Sequence, residues 1–519
     1  MNYSVRKKTL FDYDPSSRDS ILYYAKKLEG RTFREVLNDF NKYYVRVPSP
    51  QKGKTEIKAI ENLTADEMKA STAAYEFNGH SKGKLGSLLE VCYFGYELNS
   101  NQEADFAEAG VELKTTCLDR KKGRLQAGER LSITNLSFDS PVEEDFYKSH
   151  VWEKISRILL IQYERDRDID ALDQKIQFVN LVQLPEEDLE MIKSDYHQII
   201  DKVKAGLAHE ISEGDTMYLG ACTKGAKSAT NYRNQYYGSH VLAQKRNFCL
   251  KLPYMKAFTA QYVLTGKIPG FRIPNSGFTD FERFITNRVK GYVGMTSEEI
   301  GQRVQLDMDP RTKHFLHTSV LYMLGVKSNK VEEFEKAGVV VKTIHMDSTG
   351  YAKEKISLPA TTFEDIAEKS WENSNLREYL SSTKFFFTVY RDNEEGDPVF
   401  QGSWFWNMPV SDLEGEVQRI WRKAKAVLMS PEGVELQPVV QKSGRIAVKN
   451  NLPGMAESRI THIRPHTSHS YHRLADGTVY ATKGTPANAF VLPDGYRMMT
   501  KQCFWLDTSY ILRELGLNH

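Results

Sequence analysis

Cysteine is scarce in this chain. The five present, Cys92, Cys117, Cys222, Cys249 and Cys503, are scattered over 519 residues and form no Cys-x-x-Cys pair. That argues against a zinc ribbon or a disulfide framework and suits a reducing cytoplasm. Long apolar runs are also missing, and none approaches the ~20 residues needed to span a bilayer. Met1 to Leu10 is polar and charged, unlike a signal peptide. A cytoplasmic protein with no membrane segment is therefore expected. A bias of charge is absent as well: 70 Lys and Arg stand against 68 Asp and Glu, a formal net charge of +2. Net charge names no partner, so its distribution must be read instead. Length suggests at least two domains, and 40% hydrophobic with 11% aromatic residues is enough for ordinary cores.

One local absence is more informative. Thr216 to Thr279 contains no Asp or Glu, although the chain average would put about eight or nine acids there. The same stretch holds nine Lys or Arg, with tyrosines and small polar residues interleaved at Asn231 to Gly238. A solvated loop region would be the bland reading. The composition fits better a surface facing phosphates and base edges. Lys224, Arg233, Gln235, Arg246 and Lys251 are the candidate DNA contacts.

The stretch Asp105 to Thr115 carries the chemistry. Val111-Glu112-Leu113-Lys114-Thr115 alternates apolar and polar residues, as a half-buried strand does. Residues two apart on a strand share a face, so Glu112 and Lys114 project together while Val111 and Leu113 pack the other way. Asp105 lies just upstream, at the end of a neighbouring strand or in the turn leading in. Two carboxylates and an ammonium that converge can hold a hard divalent cation and handle a water beside it.

Around this stretch the chain reads as alternating helices and strands. Residues 1 to about 50 form a helical lead-in, and a helix over 81–98 carries Glu90. A basic hairpin, Arg120 to Arg124, follows the strand, and later come a strand at 130–133, a helix at 150–157, the strand Ile158 to Ile161 and a polar helix within 185–210. Residues 266–276, rich in Pro and Gly, mark a boundary. The expected division is 1–265, a linker 266–285, and 286–519.

The second half repeats the first. Glu332 to Thr343 matches Ala104 to Thr115 position for position, with Phe, Ala-Gly-Val and Lys-Thr at the same spacing. Leu63 to Glu67 matches Met295 to Glu299, and Leu159 to Asp166 matches Phe385 to Asp392. Two copies of over 200 residues make a duplicated domain, not a solenoid. In the second copy Glu333 stands for Asp105, Val340 for Glu112 and Lys342 for Lys114, and no carboxylate lies between Lys313 and Lys330 to replace Glu90. That copy is expected to have kept the fold and lost the reaction. It still carries a basic stretch, 438–473, centred on His462-Ile463-Arg464-Pro465-His466. Histidines 462, 466, 469 and 472 do not read as a zinc site, because no cysteine helps and this extended, Pro-containing stretch fixes no ligand spacing. His462, Arg464 and His466 are read as donors to phosphate and base edges.

Three blocks in order carry a resemblance: Lys82 to Glu90; Asp105-Phe106 with Gly110 to Thr115; and His150-Val151 with Lys154 and Arg157. Together they resemble the MutH family, which includes a mismatch-repair nicking endonuclease and type II restriction endonucleases that cut at GATC. The first copy matches over most of 60–260, and the second more weakly. The duplicated layout resembles the long GATC-cutting restriction enzymes. Two departures stand out: Cys222 where an Arg is expected, and Cys249 where a Tyr is expected.

The resemblance implies two tandem PD-(D/E)xK nuclease folds of the α/β class, each a mixed sheet flanked by helices. It implies that Asp105, Glu112, Glu90 and the carbonyl of Leu113 hold Mg²⁺. Lys114 then orients or deprotonates the attacking water, and Lys154 contacts the scissile phosphate. The expected function is a Mg²⁺-dependent restriction endonuclease that cuts double-stranded DNA in its first copy. The second copy would bind another site as an effector. The expected partners are two copies of the DNA site and, as functional counterpart, a cognate DNA methyltransferase. The expected assembly is a monomer or a DNA-induced dimer. A MutH-like repair nickase and a non-catalytic DNA-binding repressor are the alternatives. The duplication speaks against the nickase, and the intact Asp105, Glu112 and Lys114 set speaks against the repressor.

Overall fold

A computed structural model describes residues 11–49, 55–77, 83–96, 104–223, 231–238, 240–265, 273, 280–312, 314–327, 330–352 and 354–517. The chain divides into two compact units. One comprises Met1–Leu136, Pro141–His197 and Asn247–Ile268, and the other Ser137–Ser140, Gln198–Arg246 and Pro269–His519. Residues 198–246 thus group with the second half of the chain, although they follow the first motif in sequence. Of the expected linker 266–285, residues 266–272 and 274–279 lie outside the described residues, and the helix Phe281–Lys290 takes up its end.

The first unit opens with α1 (Arg18–Lys26) and α2 (Phe33–Tyr43). In α2 a capping box of Thr32 and Glu35 fixes the start, and Phe33, Val36, Leu37 and Phe40 recur at helical spacing on one buried face. That face packs on a mixed four-stranded sheet. Its strands are β1 (Glu112–Lys121), β2 (Arg124–Ala127), β3 (Ile158–Glu164) and β4 (Lys175–Val182), in the order β2-β1-β3-β4. The central pair β1–β3 is parallel, and both outer pairs are antiparallel. Ile158 to Ile161 are all at most 1% exposed, as expected of a strand covered on both faces. Phe33 meets Tyr163 edge-on at 5.3 Å, and the core continues through Leu113, Leu159, Ile176 and Val179.

The basic hairpin lies where expected. Lys122 and Gly123 make its turn with left-handed backbones (φ 48° and 78°), joining β1 to β2. The crossover from β1 to β3 contains the strand Leu131–Leu136 and the helix α4 (His150–Ile155). The helix expected over 81–98 is shorter in the described residues: α3 (Lys84–Leu88) runs into a π-helical turn, Leu89–Tyr93.

The second unit repeats the plan. Helix α5 (Phe315–Met323) precedes β5 (Val339–Met346), which pairs in parallel with β7 (Lys384–Asp392), itself antiparallel to β8 (Pro398–Trp406). The same parallel-then-antiparallel order therefore recurs. The details recur too. Thr64–Glu67 and Thr296–Glu299 both form capping boxes, and Gly110 and Gly338 both turn the chain with left-handed backbones (φ 62° and 67°). A second sheet places β10 (Gln502–Leu506) between β6 (Ile356–Ala360) and β9 (Thr461–Pro465). The chain is thus mixed α/β, with two copies of one strand plan in tandem. Among the described residues no helix is long and apolar enough to cross a membrane.

Candidate active site

The site is assembled by a turn. The backbones of Phe106 and Val111 bond to each other in both directions, at 2.9 and 3.2 Å. The intervening chain reverses at Gly110, whose positive φ suits a residue without a Cβ. This reversal lays Asp105 beside the start of β1. Its Oδ2 accepts from the Leu113 N–H at 2.9 Å, and its own N–H donates to Glu112 Oε2 at 3.3 Å. The seven-residue spacing between the two carboxylates is therefore the length of one tight turn.

Glu112 is 3% exposed and is spanned by two ammonium groups. Lys114 Nζ reaches its Oε1 at 2.8 Å, and Lys154 Nζ its Oε2 at 2.9 Å. Lys114 arrives from the same strand face, as the alternation predicts. Lys154 arrives from α4, which Ser149 caps by accepting from the Trp152 N–H at 3.2 Å. Parallel pairing of β1 with β3 brings α4 to this end of the sheet, since the helix ends just before β3 begins. Lys114 also donates to the Ile133 carbonyl at 3.3 Å.

Glu90 sits in the π-helical turn, a feature that often marks functional sites. Its neighbours Leu88, Leu89, Val91 and Cys92 are buried. The helix lies close to β1, because a Cβ at Gly86 would be 3.7 Å from Thr115. Burial pushes the Glu90 carboxyl up to about 7, helped by the charge of Asp105 and partly offset by Lys114. Asp105 is pushed up to about 6, again by burial first and Glu112 second, and the Leu113 N–H works the other way. Buried negative charge thus accumulates here beyond what the two lysines balance.

That imbalance tests the fit to a metal. Among the described residues no three His, Cys, Asp or Glu side chains are already drawn together as a metal cage. The donors nonetheless suit a hard cation: the carboxylates of Glu90, Asp105 and Glu112, with the Leu113 carbonyl beside them. A divalent cation would relieve the opposition to ionisation that Glu90 and Asp105 experience. The residues therefore fit a hard divalent cation.

The structure brings Asp105, Glu112, Leu113, Lys114, Lys154 and Glu90 together at one end of the first sheet. The candidate DNA contacts are placed differently. Lys224 lies outside the described residues. Arg233 is half-buried and donates to the Tyr232 carbonyl at 2.9 Å. Gln235 is 9% exposed; its carbonyl accepts from the Ala208 N–H at 2.8 Å, and its amide contacts His209 Nδ1 and the Val241 carbonyl. Arg246 is 8% exposed and donates to the Ala221 carbonyl, while Lys251 is fully buried. In β9 His462 is fully buried, and its imidazole is held near 4, mainly by burial. Arg464 and His466 are exposed. The Arg464 guanidinium lies 5.4 Å from the Trp505 ring, whose indole N–H donates back to the Arg464 carbonyl at 3.3 Å. Trp505 is a site neighbour that sequence reading missed, since only long-range pairing of β9 with β10 brings it there.

A family model described as the DNA mismatch repair enzyme MutH matches residues 94–195 and 322–411, once in each copy. The type II restriction enzyme Sau3AI of Staphylococcus aureus is 32% identical over 474 residues, covering 85% of this chain and 94% of that protein. The DNA mismatch repair protein MutH of Shigella flexneri serotype 5b is 30% identical over 184 residues, 35% of this chain and 79% of that protein. MutH of Citrobacter koseri is 29% identical over 185 residues, with 35% and 78% covered. The first family segment contains Asp105, Glu112, Lys114 and Lys154, and the match to Sau3AI extends over both copies. The chain belongs to the MutH-like family of type II restriction enzymes, which are site-specific deoxyribonucleases.

Proposed function

We propose that this chain is a Mg²⁺-dependent type II restriction enzyme that cuts double-stranded DNA at GATC. Residues 1–265 hydrolyse the phosphodiester, and residues 286–519 bind a second copy of the site as an allosteric effector. The observation that carries this reading is the asymmetry between the copies. The first has Glu112 spanned by Lys114 and Lys154 with Asp105 at its side. The second has Val340 where Glu112 would be.

Asp105, Glu112, Glu90 and the Leu113 carbonyl would hold the Mg²⁺. When bound, that ion supplies charge compensation at a non-bridging phosphate oxygen and a more acidic water. The remaining work belongs to the chain. Lys114 orients the attacking water or takes its proton. Lys154 faces the scissile phosphate and compensates the charge that develops there. Both ammonium groups are anchored on one carboxylate before substrate arrives, so little reorganisation is left to the reaction itself. Lys224 and Arg233 serve DNA recognition directly, and the buried Gln235, Arg246 and Lys251 shape the segment that carries them. His462, Arg464 and His466 serve the second copy. One chain has one complete site, so cutting both strands takes two chains on DNA or two successive nicks. A cognate methyltransferase would protect the host's own sites.

The test is digestion of methylated and unmethylated phage DNA with Mg²⁺, followed by sequencing of the ends. The expected result is ends at GATC and no cutting in EDTA. Ends without common sequence, or nicks confined to one strand, would overturn it.

A further inference from the structure

The second copy has kept the lysine of the motif and lost the acid two residues before it. Lys342 corresponds to Lys114, and both donate to a carbonyl of the chain segment that follows: Lys114 to Ile133 at 3.3 Å, Lys342 to Ser357 at 3.0 Å. Lys114 also has Glu112. Lys342 forms no ion pair with a carboxylate among the described residues, and Val340 fills the place of that acid. Glu333, the counterpart of Asp105, is 2% exposed, and its two oxygens accept from the Ile273 N–H at 3.1 and 3.3 Å.

Near Lys342 stand a histidine and a thiol. His317 stands on α5, and its protonation is opposed by burial and then by His314 and Lys342. The Lys342 ammonium is itself disfavoured by burial, and the Cys503 sulfur lies near it. Cys503 lies opposite Arg464 in the β9–β10 register, and His466 Nδ1 is 3.4 Å from its sulfur. Lys342, His317, Arg464 and His466 therefore gather around one half-buried locus. Its position in the fold is that of the first copy's carboxylates, of which only Asp105 keeps an acidic counterpart, Glu333, bound to the Ile273 N–H. A buried ammonium without a counter-ion is costly unless an anion completes it.

We propose that this locus is a metal-independent phosphate pocket, in which Lys342, His317 and Arg464 take the place of a divalent cation as the counter-charge of a DNA phosphodiester. The proposal rests on the reading that the second copy binds DNA, and it names how. The first copy would need Mg²⁺ to accept a phosphate among Glu90, Asp105 and Glu112. The second would accept one without it.

The test is fluorescence anisotropy of a labelled GATC duplex with the full chain in EDTA. EDTA removes the metal-dependent share of the first copy's binding, and the substitutions at Lys342 and Val340 read the share that belongs to the second copy. Lys342→Ala should weaken this binding about tenfold and lower the salt slope by about one, whereas Lys342→Arg should retain it. Val340→Glu, which restores an acid beside Lys342, should weaken it to a similar degree. Loss of wild-type binding in EDTA would overturn the proposal. So would binding by Lys342→Ala and Val340→Glu within about twofold of wild type. A two-site against one-site plasmid comparison separates this from the effector reading. If wild type prefers two sites but EDTA binding ignores both substitutions, the pocket fails and the effector stands. If EDTA binding falls in both variants while wild type shows no two-site preference, the effector fails and the pocket stands.

Discussion

Glu90→Gln should make the metal-free protein more stable at alkaline pH while removing its activity. Burial and the charge of Asp105 raise the Glu90 carboxyl from 4.5 to about 7. A group whose folded-state value is raised favours the fold when protonated. That contribution is fully present below about 4.5 and is lost as pH rises through about 7. Each unit corresponds to about 1.4 kcal/mol, so a fully enclosed Glu90 would cost about 3 kcal/mol at pH 8.5. The site is partly open, and screening reduces this to about 1–2 kcal/mol. Glutamine keeps the shape and cannot ionise. Each kcal/mol corresponds to roughly 2–4 °C for a unit of this size. In EDTA at pH 8.5 the variant should therefore melt about 2–8 °C above wild type, and near pH 5 the two should nearly coincide. Saturating Mg²⁺ should erase the advantage, because it stabilises the ionised wild-type site. Cleavage should fall at least about a hundredfold. Thermal melts at both pH values with and without Mg²⁺, beside a plasmid assay, make the measurement. A variant that melts no higher than wild type at pH 8.5 in EDTA, or equally higher at pH 5, would refute the reasoning.

Three further outcomes are expected. Glu112→Ala removes the carboxylate shared by Lys114 and Lys154, so plasmid cleavage should disappear while a gel shift shows DNA binding retained; normal cleavage would sink the assignment. Arg464→Ala removes an exposed guanidinium beside Trp505, and should lower the two-site to one-site cleavage ratio by roughly five- to tenfold, the range of a modest coupling energy. Leu159→Ala leaves a cavity at a 0% exposed position in the central strand, and should cost about 2–5 kcal/mol in denaturant unfolding.

Local pattern made β1 legible, because alternation over Val111 to Thr115 reports directly which residues share a face. The closeness of Asp105 to Leu113 was half legible: a turn leading into the strand was one of two readings, but only the paired backbones of Phe106 and Val111 set its length. Lys154 is 42 residues from Glu112, and nothing local ties them. The MutH-like pattern supplied that link, and parallel pairing of β1 with β3 explains it. Composition misled where burial decides. The acid-free segment reads as a surface, yet Gln235 spends its whole amide on Ala208, His209 and Val241, and Arg246 is turned inward to the Ala221 carbonyl. A basic residue's number in the sequence does not say which way its strand faces. Strand β4 lacks a regular alternation and is held by its register against β3, a contact that sequence does not display.

The duplication also separates what the fold needs from what the reaction needs. Both copies turn at a left-handed glycine, both cap the matching upstream helix with Thr and Glu, and both anchor the motif lysine on a carbonyl. The second copy builds a large core around β5 and β7 with Val340 in place of the central acid. The scaffold therefore stands without that carboxylate. In the first copy, Glu90 and Asp105 are held where their ionisation is opposed, at a cost in stability that a neutral residue would avoid. Packing gives no reason for Glu90, because the sister copy packs with no acid in the corresponding helix. What remains is chemistry. A cluster of carboxylates that weakens the empty protein becomes favourable when a divalent cation and a phosphate occupy the site, which is the trade-off expected of a catalytic centre.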